Sequence, residues 1–398
     1  MFWFALKNMA IKAAQCILVA LSIIISAGIA VLAYNVANQV DEGITDNAGY
    51  YSVIVGPSGS KTQLVMNTMY FTEEPLGTIP YSVVTELMKD GTRVSSVIPF
   101  AMADNYNGYG VVGTSSAFLK NKMVKSGEIF NDTTTMQAVV GANIAKYNQL
   151  SVGDVIYTSH SASGSDVHTK GLAVVGILEE SHSSYDNVVF TQIRTLWEMH
   201  EHGTESAEMK GLHEPTVCAI LVNTKNPAYA MQIVNEYDGK IGNAADGDPY
   251  TLQAVEPMAI VRDVLNEAND TKYIVFVLCA VILIMNVMII SIITLLNTYH
   301  SAKEISLMRL IGISMKKINL LYIIQNGLIG GIATGFAFAL SRGCMALMND
   351  YIASMGVVLN MAKIYPMEFV ILLGVFVISI VPTLIWTFLT SRKDGMGD

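Results

Sequence analysis

The stretch closest to phosphate chemistry is Gly56–Thr62, GPSGSKT. A phosphate-binding loop needs G-x-x-x-x-G-K-[ST], because its glycines let backbone N–H groups turn inward around the phosphates while the lysine reaches them. Ser60 stands before Lys61, so the second glycine is missing, and the stretch reads as a turn behind the apolar run Tyr50–Val55. His200, His202 and His213, with Glu198, Glu201 and Glu214, supply enough donors for a metal. Alternate residues share a face only on a strand, however, and this region reads as a helix end followed by a loop, so no metal site is expected. Cys16, Cys218, Cys279 and Cys344 are scattered, with no C-x-x-C pair and no disulfide framework. Neither a G-x-S-x-G elbow nor an H-E-x-x-H helix occurs. The chain is expected to catalyse nothing by itself.

One segment is better suited to contact than to catalysis. His300–Ile318, HSAKEISLMRLIGISMKKI, carries Lys303, Arg309, Lys316 and Lys317 against the single Glu304. It lies between the apolar runs Tyr273–Asn297 and Ile318–Leu340, each longer than the ~20 residues a helix needs to cross a bilayer. A basic loop between two crossings faces the cytoplasm. On a helix, Ile305, Met308, Leu310 and Ile311 would gather on one side, with Lys303, Glu304, Arg309 and Lys316 mostly elsewhere. The residues alone allow two uses: a helix resting on lipid headgroups, or one that docks a partner.

The elements that must hold this segment are dominated by membrane. Of 398 residues, 52 % are hydrophobic and only 14 % charged, against about 25 % charged in soluble domains; mean hydropathy is +0.43. The net charge of −9 is unevenly laid out: residues 41–270 hold 13 Lys and Arg against 28 Asp and Glu, the remainder 11 against 5. An acidic middle between basic ends is the layout of an exported domain. No basic patch is large enough to track nucleic-acid phosphates.

In chain order, residues 1–14 read as a cytoplasmic interfacial helix with Lys7 and Lys12, and 15–40 as the first transmembrane helix. The apolar run there is longer than a signal-peptide core and lacks a clean small-residue cleavage site, which favours a retained anchor. Residues 41–256 form an extracytoplasmic α+β domain. Its strands are expected at Tyr50–Val55, Arg93–Ala101, Gln137–Val140, Asp154–Tyr157, Leu172–Leu178, Asn187–Phe190 and Val217–Val222, and its helices at Pro80–Lys89 and Pro227–Tyr237. Thr158–Gly171 and Glu201–Glu214 read as loops. A stalk and second transmembrane helix occupy 257–298, the basic loop 299–317, and the third span 318–341. A short outer loop, 342–366, the fourth span, 367–390, and a cytoplasmic tail, 391–398, complete the chain. The fold expected is an integral membrane α-helical protein with four spans, both termini inside and a large outer α+β domain between spans one and two.

Two features of the spans concern packing. Gly327, Gly331 and Gly335, continued by Ala339 and Gly343, recur every fourth residue and would let another helix approach closely, within the subunit or across a dimer. Asn286 near the centre of span two calls for an interhelical hydrogen bond, with a water or substrate path as the alternative. The spans hold no central charge pair, which argues against a midplane ion-coupled site.

One span, a large outer domain, then three spans with a basic loop between the second and third is the plan of FtsX-like ABC permeases. The loop resembles the MacB type of these mechanotransmission transporters. The matching residues are Lys303, Glu304, Ile305, Leu307, Arg309 and Gly312, and the departures are Ser306, Ile311 and Ile313. Val139–Ile156 followed by Gly171–Leu178 is similar to a stretch common in the outer domain of that family. The resemblance implies a coupling loop in which Lys303, Glu304 and Arg309 make polar contacts to a cytoplasmic ABC ATPase. Ile305, Leu307 and Met308 would fill its groove, with Gly312 ending the motif.

The resemblance further implies a permease subunit that transmits ATP-driven motion to its outer domain, for export or extraction of a peptide, antimicrobial or lipid-linked substrate. ATP and Mg would be bound by the ATPase, and this chain would carry no cofactor or metal. Partners would be that ATPase, a second copy or a related permease, membrane lipid, and an outer adaptor or substrate-binding protein, in a bacterial cytoplasmic membrane. The alternatives are an FtsX-like regulator of a cell-wall hydrolase and a membrane-anchored sensor without an ATPase.

Overall fold

The computed structural model describes residues 2–48, 50–160, 167–200, 215–245, 247–300, 302–353 and 357–394. The chain divides into two compact units. One comprises Met1–Gln39, Glu267–Asn349 and Leu359–Asp398, the other Val40–Asn266 and Asp350–Val358.

The second unit is a mixed sheet with helices packed on it. Runs such as Val53–Val55 and Ala219–Val222 are buried at every position, as expected for strands covered on both faces. Val53–Pro57 pairs antiparallel with Ala219–Thr224 on one side and Pro249–Val255 on the other. The 13-residue strand Val94–Tyr106 pairs with Ala219–Thr224 and with Tyr109–Thr114, its register shifting between Met102 and Asp104. Tyr109–Thr114 then runs parallel to Val189–Gln192. The sheet continues through Gln137–Val140 and Leu172–Leu178 to Val124–Gly127, with Val155–Ile156 branching from Leu172–Leu178.

Two helices form where the sequence places them. Tyr81–Lys89 buries Val83, Val84 and Leu87. Pro227–Tyr237 starts with proline in its first turn and is capped by Asn226, whose side chain accepts from the Ala228 N–H at 3.0 Å. At the centre, Phe71, Phe100, Phe118, Tyr185 and Phe190 pack ring against ring with centroids 5.3–6.4 Å apart. Lys122 lies across the Tyr185 ring at 3.5 Å, and burial pushes its ammonium down to about 8.

Among the described residues, five strands escape the sequence pattern: Ile79–Pro80, Tyr109–Thr114, Val124–Gly127, Ile241–Asn243 and Pro249–Val255. Their glycines, charges and leading proline mimic turn composition, and pairing with neighbours overrides it. Of the two loops expected, residues 161–166 and 201–214 lie outside the described residues.

The first unit is helical. Among the described residues, four helices are long and apolar enough to cross a membrane: Ala13–Ile44, Lys272–Ile293, Met315–Ala353 and Pro366–Ile385. Val19, Ile23, Ala27, Ile290, Ile329, Ala333, Ala337 and Val375 make its buried core. The second membrane helix is one uninterrupted element of 44 residues, Pro257–His300.

The third membrane helix differs from expectation. It spans Met315–Ala353, so Arg342 lies in the helix and not on an outer loop. Its guanidinium is neutralised there by Glu368, whose side chain is fully buried and 2.5 Å away. Glu368 also accepts from the Asn35 amide and from the Tyr365 N–H, and Gln39 ties Asn35 to the Asn360 backbone. Of the segment read as outer loop, Val357 and Val358 belong to the sheet unit, where Val357 bridges Ser183.

Candidate functional site

The basic segment folds as a short helix, Ala302–Leu310, with the second membrane helix ending at His300 and the third starting at Met315. Gly312 stops it. Its φ of +86° lies in the left-handed region that favours glycine. The Gly312 N–H donates to Arg309 O at 2.9 Å and the Ile313 N–H to Met308 O at 3.0 Å. This pair of bonds is a Schellman closure, which satisfies carbonyls the helix end would leave open. The chain can therefore reverse into the next helix within four residues, Ile311–Ser314.

The side chains sort by face. Leu307, Leu310 and Ile311 stand at i, i+3 and i+4 and are 59, 83 and 79 % exposed. Ile305 and Met308 are half-buried, and Arg309, Lys316 and Lys317 are exposed. Lys303 and Glu304 fall in the first turn, their side chains outside the described part of the structure. The apolar face open to a partner is thus Leu307–Leu310–Ile311. The face containing Ile305 and Met308 is the one partly covered. Helix periodicity grouped Leu310 and Ile311 with Ile305 and Met308, because spacing alone does not say which edge of an apolar arc the bundle covers.

In the membrane unit Asn286 is buried, and its amide donates to Ser26 Oγ at 2.6 Å, Ser22 O at 2.6 Å and Ser22 Oγ at 3.0 Å. The serines of span one are thus the acceptors for the polar residue of span two. On the third helix, close approach to the fourth is made by Gly330, where an added Cβ would lie 2.7 Å from Ser379 Oγ. The stripe one residue further on faces away. Among the described residues, an added Cβ would meet nothing within 4 Å at Gly327, Gly335 or Gly343, and only the Phe376 ring at 3.8 Å at Gly331.

The model of the MacB-like periplasmic core domain matches residues 16–237, more than half of the chain. The chain belongs to the MacB-like family. The periplasmic region of MacB from Actinobacillus actinomycetemcomitans is similar at 10 % identity with a TM-score of 0.35, over 55 % of this chain and 94 % of that one. No curated protein matches the chain. A MacB-like domain beside four membrane-crossing helices makes this a MacB/FtsX-like ABC permease, a multi-pass protein of the cytoplasmic membrane with its large domain outside. Membership implies in general an ABC ATPase partner, dimerisation and a non-catalytic chain.

The remaining motifs take their places in the MacB-like domain. Within GPSGSKT, Gly56 and Pro57 end a strand and Ser60 caps the helix Lys61–Val65, accepting from the Gln63 N–H at 3.2 Å. Lys61 pairs with Asp238 at 2.7 Å. The expected turn is real but short, and its serine is there to start a helix. Of the histidines and glutamates near residue 200, Glu201, His202, His213 and Glu214 lie outside the described residues. Glu198 is on the helix Ile193–His200, and His200 ends it with Nε2 3.2 Å from Asp104 Oδ1. Asp104 gave no signal in the sequence, since one acid in a strand has no spacing to read.

Proposed function

We propose that this chain is the permease subunit of a MacB-like ABC system and that the helix Ala302–Leu310 seats on a separate cytoplasmic ATPase. The observation that carries the reading is the exposed face Leu307–Leu310–Ile311, shouldered by Arg309, Lys316 and Lys317 and closed by Gly312. An amphipathic helix laid in a partner's groove uses this i, i+3, i+4 pattern of anchors. Basic residues beside it suit an acidic rim on the ATPase and set the approach rather than the affinity.

The cytoplasmic placement of this helix fixes both termini inside, by four crossings. ATP and Mg are bound by the ATPase. Its closure pulls on the second and third membrane helices, which flank the docking helix directly in sequence, and the motion is delivered to the outer domain. The work done there is export or extraction of a peptide, antimicrobial or lipid-linked substrate. The stripe Gly327–Gly331–Gly335, open in the single chain, supports a second permease copy packed against the third helix.

The test is co-purification of the full chain with its ATPase in nanodiscs, comparing wild type with Leu307→Glu/Leu310→Glu. An ABC ATPase should accompany the wild type and fall at least ~10-fold in the variant, since two buried anchors of ~1 kcal/mol or more are lost. An ATPase retained equally by both chains contradicts the docking role, and a chain purifying alone supports the sensor reading.

A further inference from the structure

We propose that Asp104, His160, His168 and His200 form a four-ligand zinc site in the outer domain. Four distant parts of the sequence meet there. Asp104 follows the register shift in Val94–Tyr106, and such a bulge re-aims the side chain beside it. Ser159 exchanges both backbone hydrogen bonds with Asn105, at 2.7 and 2.9 Å, which brings His160 beside Asp104. The His168 N–H donates to Thr158 O at 2.9 Å, and Val167 bridges Ser159, so His168 returns to the same place. His200 arrives from the end of Ile193–His200.

The donor atoms converge on one point. Asp104 Oδ1 lies 3.2 Å from His168 Nε2, 3.2 Å from His200 Nε2 and 3.5 Å from His160 Nδ1. All four donors are within 4.8 Å of one another. Zinc bonds of ~2.0–2.1 Å to nitrogen and oxygen give a tetrahedron with edges of ~3.3–3.4 Å. The three edges from the carboxylate oxygen are already close to that length, and with all donors within 4.8 Å the remaining edges need only turns of the rings. His160 and His200 can turn, their side chains being 48 and 33 % exposed.

A hydrogen-bonded cluster accounts for this arrangement less well. A single carboxylate oxygen has two lone pairs, and three imidazole nitrogens crowd Oδ1 while Thr158 Oγ1 already bonds Oδ2 at 3.1 Å. Three rings compete for those two lone pairs, whereas a cation at the centre uses all four groups. Three imidazoles and one carboxylate at tetrahedral spacing select zinc over oxygen-seeking magnesium or calcium. Four protein ligands leave no open position, so the ion is structural. It pins the segments bearing His160 and His168, and the end of Ile193–His200, to the long strand. Thr158 orients the carboxylate, as groups behind metal ligands do.

The experiment uses the full chain in nanodiscs, purified without a polyhistidine tag, stripped with chelator and titrated with Zn²⁺ alone, with Co²⁺ as a spectroscopic substitute. Zinc should bind at one per chain and raise the unfolding temperature, and Co²⁺ should give the intense visible absorption of tetrahedral coordination. His160→Ala and His200→Ala, at partly exposed positions that the fold tolerates, should each weaken zinc at least ~10-fold, and Thr158→Val by ~10–100-fold. Zinc no higher than in the doubly substituted Asp104→Asn/His168→Ala chain overturns the site. Zinc bound equally by wild type, His160→Ala and His200→Ala overturns it as well.

Discussion

Replacing Glu368 by leucine should be among the most damaging single changes in the membrane unit. The Glu368 side chain is fully buried, and that of Arg342 is 14 % exposed. Glu368 is the third residue of the helix Pro366–Asp394, where its carboxylate accepts from the Tyr365 N–H at 3.0 Å. That is the reciprocal half of a capping box, with proline at the first position. Glu368→Leu strands the guanidinium, the Asn35 amide and this N–H together. Removing one partner of a buried pair costs about 3–5 kcal/mol, because the other charge is left uncompensated. Replacing both with apolar residues is often close to neutral, so Arg342→Met/Glu368→Leu should recover to within about 1–2 kcal/mol of wild type. Chemical unfolding of the full chain in mixed micelles, read as a double-mutant cycle, measures both quantities. A loss under ~1 kcal/mol in Glu368→Leu, or a double variant whose loss equals the two single losses added, refutes the buried-pair account.

Two further outcomes follow from buried polar groups. Lys122 has its pKa lowered to about 8 by burial among Tyr185 and Tyr50, with Asp186 nearby. The unfolded chain holds that proton up to ~10.4, so stability should rise as pH goes from about 8 to ~10.4, by up to about 3 kcal/mol. Lys122→Met should flatten that rise in unfolding curves, and an unchanged pH profile in the variant contradicts it. In the spans, Asn286→Leu removes the donor to Ser22 and Ser26. It should cost about 1–2 kcal/mol in the same micelles, near the top of the range for such bonds in membranes; a cost below ~0.3 kcal/mol would mean the bonds contribute little.

What could be read along the chain depended on how far apart the deciding residues lie. The spans, the helix Ala302–Leu310 and its stop at Gly312 are local patterns, and the residues that make them stand within a few turns of one another. The end of the third helix was not local. Ser341 and Arg342 look like the start of a loop, yet the helix continues past them, and Glu368 from the next helix pairs with Arg342 there. Tyr109–Thr114 carries two glycines and reads as a turn, yet its place between Val94–Tyr106 and Val189–Gln192 makes it a strand. The face of Ala302–Leu310 was half legible, since the apolar arc is in the sequence but the covered edge is set by the bundle. The zinc ligands lie at residues 104, 160, 168 and 200, separations with no period, and only the fold brings them together.

In the proposed mechanism, motion enters through Ala302–Leu310 and reaches the outer domain. The direct measurement is the spin-label distance between two copies of the full chain, labelled at an exposed outer-domain position such as Lys89→Cys, in nanodiscs with the ATPase bound. Trapping the ATPase with ATP and vanadate should shift that distance in the wild type and leave it unshifted in Leu307→Glu/Leu310→Glu. A distance that stays the same through nucleotide turnover, in a complex whose ATPase is active, contradicts the account.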